Sequence, residues 1–404
     1  MTRIFVIGIA EEQLATWQEQ LLQQCTLIIG AERYSEMIPG FSDRYLSITP
    51  LQGALIKIRE ALPHGKVAIL ASGDPLFYGI GRRLLSEFPQ EKIELFPALS
   101  SVQRACALFR IPWDDARITS LHGRTTSHLP GLLLGHAKHL ILTDAANSPD
   151  FLAGQILDYL QAIGEQELPA AIRMLVAEDI GLSTERITSC SLDEARSQRF
   201  SAMNVICLLI PGAALSIPEY RLGLTEEIIH HSRGLITKNE VRAATLHQLR
   251  LPETGVLWDV GAGSGSLSIE AARANPRLTV FAIEQKDEEL ANIKKNIVKF
   301  RCFNIVAVPG RAPEALAGLP DPQRVFIGGS GGALPAIIPA VAARLAEGGI
   351  LVVNGVAQKT IDTAPGLLRA AGFTVQSATV QVSRTDPHGN TIHFNPISIM
   401  TGSR

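Results

Sequence analysis

The sequence predicts an α/β protein in which each of two domains has sheets covered by helices. Short apolar runs alternate with segments of helical periodicity along most of the chain, a pattern typical of parallel strands joined by covering helices. A glycine-rich turn near residue 260 separates one such run from a helical pattern. With 404 residues, the chain is long enough for two or three domains.

Composition and charge narrow the class of protein. Hydrophobic residues make up 46% of the chain, and the formal net charge is −2, which gives no support to a nucleic-acid surface. The N-terminal apolar run stops at Glu11 and Glu12, which argues against a signal peptide, and no apolar stretch is long enough to span a bilayer. We therefore expect a cytoplasmic protein with no nucleic-acid or membrane partner.

Cysteine usage predicts no metal centre. The five cysteines are widely scattered, without a Cys-x-x-Cys pair or a Cys/His cluster of metal-binding spacing. Reduced, buried thiols are the simple interpretation for a cytoplasmic protein.

Residues 1–212 form the first predicted domain. Because helical patterns such as 51–62 and 151–162 lie between its apolar runs, we expect parallel sheets. The polar segment 111–116 predicts a division into two lobes near residue 113. The predicted strands are 4–9, 27–29, 67–70, 93–96, 140–142, 172–176 and 205–210.

Three strand ends in this domain carry turn residues, at 71–75, 97–101 and 143–144. Asp74 suits a helix cap, and Pro75 suits the first position of a helix. Ligands of open α/β sheets bind outside the carboxyl ends of the strands. The three loops are therefore candidate cofactor loops, although each taken alone is also an ordinary helix cap.

The stretch LWDVGAGSGS, residues 257–266, joins a predicted buried strand to a helix. Gly261, Gly263 and Gly265 allow a sharp turn and a close approach of a ligand to the backbone. The next predicted strand, 278–284, ends in Glu284. A carboxylate about 20 residues after such glycines holds a ribose hydroxyl in nucleoside-binding α/β folds.

Other ligands of glycine-rich loops require different spacings. A dinucleotide fingerprint is G-x-G-x-x-G, whereas this chain has G-x-G-x-G, and a P-loop requires a lysine that is absent here. A purely structural turn is the remaining alternative. The glycine spacing together with Glu284 resembles the Rossmann-like methyltransferases that use S-adenosylmethionine (SAM).

Residues 213–234, interrupted by Pro218, are predicted to be a linker, and residues 235–404 are the second domain. Thr237 and Glu240 have the spacing of a capping box at the start of a helix. The pair is therefore either a helix cap or part of a site. The two domains are expected to separate at the linker.

The ordered strings ASGDPLFYGIG (71–81), PALSSVQRACA (97–107), IPWDDARITSLHGR (111–124), LTDAANSP (142–149) and NVICLLIPG (204–212) resemble the tetrapyrrole methylase family, and most closely its members that methylate carbon 5 of a precorrin ring. The resemblance implies a two-lobed α/β fold with SAM between the lobes. The first loop, 8–12, is shorter than is usual in that family. The implied SAM contacts are Gly73, Asp74, Ser100, Ser101, Thr143 and Asp144.

The strings ITKNEVRA (236–243), GRAPE (310–314) and FIGGSGG (326–332) resemble the precorrin methyltransferases that methylate carbon 15 and decarboxylate the acetate on carbon 12. Glu240 and Arg242 are candidates for orienting the decarboxylation. The resemblance implies SAM contacts at Thr237, Gly261, Ala262, Gly263, Ser264, Gly265, Glu284 and Ala312.

Together the resemblances imply a homo-oligomeric bifunctional methyltransferase of cobalamin synthesis with two SAM sites per chain. It would methylate ring carbons 5 and 15 of a precorrin and remove one carboxylate, giving a precorrin-8-type product. Because the substrate carries many carboxylates, basic side chains should line both clefts. The candidates are Arg82, Arg104, Lys238, Arg242 and Arg384.

Two alternatives stay open. A tRNA base methyltransferase would often carry an Asn/Asp-Pro-Pro-aromatic motif after the fourth strand, where this chain has FIGGSGG. In the other alternative, the first domain only binds substrate for an active second domain.

Overall fold

The computed structural model describes residues 3–10, 13–121, 130–211, 221–232 and 236–404. Glu11, Glu12, the 122–124 part of one family string, Pro218 and part of the predicted linker lie outside the described residues. By contacts, the chain divides into two compact units. The first draws on Met1–Thr125, Lys138–Leu152 and Arg173–Leu209, and the second includes Ala153–Ile172 and Ile210–Arg404.

The first sheet of the first unit is entirely parallel, in the order β3-β2-β4-β1-β5. Alternate residues of one interior strand enter different cores, Ile4 and Val6 on one face and Phe5 and Ile7 on the other. Both faces are covered, so the strand reads as a continuous apolar run. The elements are β1 (Ile4–Ile9), α1 (Thr16–Gln23), β2 (Cys25–Gly30), β3 (Tyr45–Ser47), α2 (Leu51–Ala61), β4 (Lys66–Ser72), α3 (Gly81–Glu87) and β5 (Ile93–Phe96).

The second sheet of this unit has the order β6-β7-β10-β8-β9 and is mixed. The expectation of parallel strands is wrong here, because only β6 and β7 pair in parallel. A turn joins β8 to the antiparallel β9, and β10, from later in the chain, inserts antiparallel between β7 and β8. This part of the chain contains α4 (Ser101–Phe109), β6 (Arg117–Ser120), α5 (Pro130–Leu133), β7 (Lys138–Leu142), α6 (Pro149–Ile163), α7 (Leu168–Ala171), β8 (Arg173–Glu178), β9 (Arg186–Cys190), α8 (Leu192–Arg196) and β10 (Asn204–Leu209).

The second unit contains a seven-stranded sheet in the order β13-β12-β11-β14-β15-β19-β16. The first five strands in that order are parallel, and β19 is antiparallel to both β15 and β16. Its elements are α9 (Asn239–Leu249), β11 (Gly255–Val260), α10 (Ser266–Ala274), β12 (Leu278–Glu284), α11 (Asp287–Phe300), β13 (Ile305–Pro309), β14 (Arg324–Ile327), α12 (Leu334–Ala342), β15 (Ile350–Gly355), α13 (Gln358–Ala370), β16 (Thr374–Val380) and β19 (Ile397–Ser403).

In the chain, a hairpin of β17 (Ser383–Thr385) and β18 (Thr391–His393) connects β16 to β19, which pair with each other in the sheet. Since β16 runs in the same direction as the five parallel strands, the hairpin begins at the edge of the sheet where those strands end. In open α/β sheets this edge is the one that binds ligands. The topology therefore brings the hairpin to the same edge as the glycine-rich loop after β11.

Segment Ala153–Ile172 packs within the second unit. The Tyr159 hydroxyl lies 2.8 Å from the carbonyl oxygen of Phe303 and 3.0 Å from that of Ile305. Arg301 donates to the carboxylate of Glu165 at 2.8 Å. The domain boundaries expected from the sequence stay a prediction.

All five cysteines are buried free thiols, as expected, and burial raises the pKa of Cys25 and Cys106 to about 11. Among the described residues, no helix combines the length and apolar character that crossing a membrane requires.

A buried ion pair connects α9 to α10. Arg242 is 0% exposed and Glu270 is 3% exposed, and Nε of Arg242 donates to Glu270 at 3.0 Å. The guanidinium also donates to the carbonyl oxygens of Thr237 and Leu224. The other carboxylate oxygen of Glu270 accepts from the backbone N–H groups of Gly223 and Leu224. The pair therefore fixes two loops as well as two helices.

We predict that Glu270→Gln lowers the free energy of unfolding by about 3–5 kcal/mol, because it leaves the Arg242 cation buried without an ionic partner. Asp321→Asn is the matched control, since its partner Arg344 belongs to the same unit and Asp321 is 65% exposed. That change should cost about 0–1 kcal/mol. Urea unfolding of each variant measures both values, and equal small effects would contradict the prediction.

Candidate functional site

The loop after β11 turns through three glycines with positive φ, at 69° for Gly261, 54° for Gly263 and 76° for Gly265. The backbone N–H groups of Gly261 and Ala262 donate to the carbonyl of Ile283 at 2.9 and 3.0 Å. A Cβ at residue 261 would overlap the carbonyl oxygen of Gly329. Glycine is therefore required where this loop packs against the loop after β14.

At Gly263 the same loop faces open space, because a Cβ there would have no heavy atom within 4 Å. The loop thus packs against protein at one glycine and is open at the next. This arrangement fits a ligand that approaches the main chain, as the sequence predicts for SAM.

Glu284 is 7% exposed, and its carboxylate is held entirely by backbone N–H groups. Gly263 donates to one oxygen at 2.9 Å, and Gln285 and Lys286 donate to the other at 2.9 and 3.0 Å. The structure thus brings the carboxylate and the glycine-rich loop into direct contact. Their sequence separation predicted this proximity.

Two further predicted positions lie near this carboxylate. The backbone N–H of Gly310 donates to the carbonyl of Glu284 at 3.0 Å, which places the loop containing the buried Ala312 beside it. Ser264 is 2% exposed, and its carbonyl accepts from the side chain of Asn296 at 2.9 Å.

Asn296 was not predicted from the sequence. It is 0% exposed, and besides Ser264 its side chain bonds the backbone N–H and carbonyl of His230 at 2.8 and 2.9 Å. Asn296 therefore connects His230, which belongs to the predicted linker, to the glycine-rich loop at Ser264. A lone asparagine in an amphipathic helix gives no signal of such a role.

Asp259, the polar interruption of β11, is 1% exposed. The Ser268 hydroxyl donates to its Oδ2 at 2.6 Å, while Oδ1 has no hydrogen-bond partner. Burial raises the pKa of Asp259 to about 7, with a smaller contribution from the charge of Glu284. The carboxyl therefore holds a proton at a pH where an exposed aspartate is ionised.

A cluster of four charged side chains lies at the ligand edge of the second unit: Glu226, Lys238, Glu240 and Arg384. Arg384 donates to both oxygens of Glu240, at 3.0 and 2.7 Å, and to Glu226 at 2.6 Å. Lys238 donates to the other oxygen of Glu226 at 2.7 Å. The cluster ties the β17–β18 hairpin to the start of α9.

The capping-box interpretation of Thr237 and Glu240 is wrong. The residue that caps α9 is Lys238, with no side-chain hydrogen bond to the helix, because the Glu240 carboxylate binds Arg384 instead. The hydrogen bonds from Arg384 hold the pKa of Glu240 below its usual value. Glu240 is therefore an ionised partner of a cation at neutral pH. Thr237 meets the buried pair through its carbonyl.

Arg242, the other predicted catalytic residue, is enclosed by protein acceptors at the buried pair described above. With 0% exposure, it positions the loops around it and does not present its guanidinium to a ligand. Its role in catalysis stays a prediction.

In the first unit, three strand ends converge. Gly73 donates its N–H to the carbonyl of Ile9 at 2.8 Å and accepts from the N–H of Ala98 at 3.2 Å. A Cβ at Gly8 would overlap the carbonyl of Gly73. The loops after β1, β4 and β5 therefore meet at backbone distance, as expected for the ligand edge of a parallel sheet.

Ser100 is 6% exposed and caps α4, its hydroxyl accepting from the N–H of Gln103 at 3.2 Å. Ser101 is the exposed first residue of that helix.

The expectation that Asp74 caps a helix is wrong, because α3 begins only at Gly81. Asp74 instead accepts from the N–H of Leu76 at 2.8 Å in a tight turn.

The remaining predicted contacts of the first unit follow β7. Thr143 is 2% exposed and donates to the amide oxygen of Asn204 at 2.7 Å. Asp144 accepts from the N–H groups of Ala146 and Asn147 at 3.0 and 2.9 Å. Helix α4 begins at the first sheet and packs its apolar face on β7, β8 and β10 of the second sheet. It therefore connects the predicted SAM contacts of the first sheet with those that follow β7.

The predicted basic residues differ in their surroundings. Lys238 and Arg384 belong to the charged cluster, and Arg242 is buried. Arg104 donates to the carbonyl of Ala10, and Arg82 is exposed on α3.

In the part of the chain that the structure describes, no group of three or more His, Cys, Asp or Glu side chains could hold a metal ion.

The fold and the loop geometry define an α/β enzyme of the SAM-dependent methyltransferase class. The tetrapyrrole (corrin/porphyrin) methylase family model matches residues 7–196. The precorrin methyltransferase domain model matches residues 229–402. Each compact unit thus contains most of one matched region.

Comparison with curated proteins identifies the family. A precorrin-6Y C(5,15)-methyltransferase [decarboxylating] of Sinorhizobium is 32% identical over 98% of this chain and 94% of that protein. The chain belongs to this family.

Two proteins of Salmonella typhimurium each resemble part of the chain. One, a cobalt-precorrin-6B C(15)-methyltransferase (decarboxylating), is 40% identical over 40% of this chain and 83% of its own length. The other, a cobalt-precorrin-7 C(5)-methyltransferase, is 32% identical over 42% of this chain and 79% of its own length.

We predict that Glu284→Ala weakens binding of S-adenosylhomocysteine at the second unit by roughly 1.5–3 kcal/mol, because charge-assisted hydrogen bonds are lost. Glu288→Ala is the control, since Glu288 is an exposed acid of the same charge on α11. Isothermal titration calorimetry measures both affinities. Unchanged binding in the Glu284 variant would show that this carboxylate only orders its own loop.

We predict that Asp259 makes stability depend on pH. Its folded pKa, about 7, exceeds the ordinary value of 3.8, so the folded protein retains a proton that the unfolded chain releases. Its contribution is fully present below the unfolded pKa and is lost as pH rises through the folded pKa. Asp259→Asn should lose less stability than the parent between about pH 5 and about pH 8 in urea unfolding. Equal losses would contradict this.

Proposed function

We propose that the chain is a bifunctional SAM-dependent methyltransferase of cobalamin biosynthesis. It methylates ring carbons 5 and 15 of a precorrin and decarboxylates the carbon-12 acetate, giving a precorrin-8-type product. The observation that carries this proposal is the Sinorhizobium relative, which is similar over 98% of the chain. A relative that matched only one half of the chain would support only one of the two methylations.

The division of labour follows the two family models. The first unit carries the carbon-5 methylation, and the second carries the carbon-15 methylation and the decarboxylation. The two Salmonella proteins support this division, because each is named for one of these steps and matches about two fifths of the chain. The glycine-lined loops lie in different units, which supports one SAM site in each.

SAM supplies an electrophilic methyl group, which an electron-rich ring carbon attacks in line while the sulfur leaves with the bonding pair. The protein contributes proximity, orientation and exclusion of water. In the second unit, the open backbone at Gly263 and the fixed carboxylate of Glu284 are suited to the nucleoside part of SAM. In the neighbouring loop, Gly328, Gly329, Gly331 and Gly332 leave Ser330 as the one residue between them with a side chain, so a flat ring could approach the backbone closely.

Decarboxylation breaks the bond between the acetate methylene and its carboxylate, and the electron pair enters the conjugated ring. A proton then completes the new methyl group. Because Glu240 is ionised and paired with Arg384, it suits orientation of the substrate through Arg384 and not proton donation. Arg242 acts one step further away, by fixing Thr237 and Leu224.

In the first unit, the predicted contacts Gly73, Asp74, Ser100, Ser101, Thr143 and Asp144 would hold the second SAM. Gly73 has φ of 57° and lies where three strand-end loops meet, so a ligand there contacts mainly backbone. Cytoplasmic location, a homo-oligomeric state and the lack of a nucleic-acid partner stay predictions from the sequence.

Two alternatives make different predictions. A tRNA base methyltransferase would retain RNA in a salt-dependent manner. A non-catalytic first unit would leave carbon 5 unmethylated while carbon 15 is methylated and carbon dioxide is released. The backbone convergence at Gly8, Gly73 and Ala98 favours a first unit that binds SAM.

The proposal is tested by incubating the purified protein with methyl-labelled SAM and a precorrin-6-type ring. Two methyl groups should be transferred and one carbon dioxide released per ring, with the methyl positions assigned by NMR. Parallel incubation with the cobalt-containing ring identifies which form is used. Transfer of a single methyl group would refute the bifunctional assignment.

We further predict two S-adenosylhomocysteine sites per chain, because the two loop sets are in separate units. Calorimetry should show two sites in the parent protein and one in the Gly263→Arg variant, whose long side chain would enter the open space at that loop. Gly318→Arg is the control, because that glycine also faces open space but belongs to the segment between β13 and β14. A parent protein with one site would rule out cofactor binding by the first unit.

A further inference from the structure

Arg33 follows β2 in the first unit, and its guanidinium contacts only neutral groups. Nη1 donates to the sulfur of Met203 at 3.3 Å, and Nη2 donates to the hydroxyls of Tyr34, at 3.2 Å, and Ser72. The guanidinium also lies over the Tyr34 ring, 5.0 Å from its centroid. Among the described residues, no carboxylate lies within ion-pair distance of Arg33.

The acidic residues near Met203 are already engaged. Glu178 accepts two hydrogen bonds from Arg186, at 2.7 and 2.8 Å. Asp179, whose N–H donates to the Met203 carbonyl, accepts from Ser201 at 2.6 Å and from Thr184 at 3.2 Å. The positive charge of Arg33 is therefore not compensated by these neighbours.

The position of Arg33 connects the two predicted sets of SAM contacts. Ser72 immediately precedes Gly73, at the carboxyl end of β4 in the first sheet. Met203 immediately precedes Asn204, whose amide oxygen accepts from Thr143 at the end of β7 in the second sheet. The exposed side chain of Arg33 thus spans from the end of β4 in the first sheet to the start of β10 in the second, between the two candidate loops.

A guanidinium has five N–H donors in a planar fork that matches a carboxylate, whereas a thioether is a weak acceptor. An anionic ligand would therefore exchange the contact with Met203 for a stronger, charge-assisted one. The neighbouring hydroxyls of Tyr34 and Ser72, 2.7 Å apart, fix one side of the fork and leave the Met203 side available.

We propose that Arg33 is a carboxylate-binding residue of the first unit's site. The carboxylate comes from the methionine part of the cofactor or from the periphery of the tetrapyrrole. The second source rests on the proposed function, whereas the first requires only that the unit binds SAM. Arg33 lies outside the strings that carry the family resemblance, and it was not among the basic residues predicted from the sequence.

The test uses the full-length chain with Arg33→Gln, Arg33→Lys and a control, Arg83→Gln. Arg83 is a half-exposed arginine of the same unit that pairs with Glu87 at 2.6 Å on α3. S-adenosylhomocysteine affinity is measured by calorimetry with Gly263→Arg added, which isolates the first unit. Ring affinity is measured as equilibrium binding by absorbance, so it does not depend on turnover. Urea unfolding of each variant, without that added change, reports whether the chain still folds correctly.

A cofactor carboxylate predicts that Arg33→Gln weakens S-adenosylhomocysteine binding about tenfold or more. A ring carboxylate predicts unchanged S-adenosylhomocysteine binding and a similar loss of ring affinity. In either case Arg33→Lys should keep part of the affinity, because it keeps the charge but not the fork, and Arg83→Gln should behave like the parent.

Unchanged affinity for both ligands in Arg33→Gln would overturn the proposal and leave Arg33 as a structural bridge to Met203. Failure of the proposed function is visible separately, as a parent protein that binds both ligands but transfers no methyl group to carbon 5.

Discussion

Both candidate sites depend on backbone-to-backbone contact between loops at the ends of parallel strands. Gly8 meets the carbonyl of Gly73 in the first unit, and Gly261 meets the carbonyl of Gly329 in the second. A Cβ at Gly8 or Gly261 would overlap that oxygen, so any other residue would force the loops apart. The consequence is a ligand edge made largely of main chain, which suits a cofactor common to enzymes with different substrates.

Side chains then stabilise these loops from outside. In the second unit, the buried Arg242–Glu270 pair fixes the backbone at Thr237 and Leu224, and Asn296 fixes Ser264. Such buried polar groups are stabilising only when every partner is present. In the first unit, α4 has this role, because its capped start lies at one sheet and its apolar face packs on the other. The chemistry needs little else, since ring methylation depends on position more than on acid–base groups.

The charged cluster of Glu226, Lys238, Glu240 and Arg384 sets the second unit apart from a simple methyl-transfer site. It places two acids and two bases where the hairpin meets α9. Phe394 lies under both cations, at 5.2 Å from each. The two positive and two negative charges of this cluster compensate one another, whereas Arg33 of the first unit has no acidic partner among the described residues. The two units therefore present different electrostatic environments to a ligand rich in carboxylates.

The sequence by itself determined the fold class, the strand ends that carry loops, and the contact between Glu284 and the glycine-rich loop. These features are local: apolar periodicity, glycine spacing, and a separation fixed by one strand–helix–strand unit. Tertiary structure alone decided which polar side chains meet. Glu240 pairs with Arg384 and not with a helix end, Arg242 is buried against Glu270, and β10 inserts antiparallel into the second sheet. Each outcome joins residues far apart in the chain, where no periodicity or spacing specifies the partner.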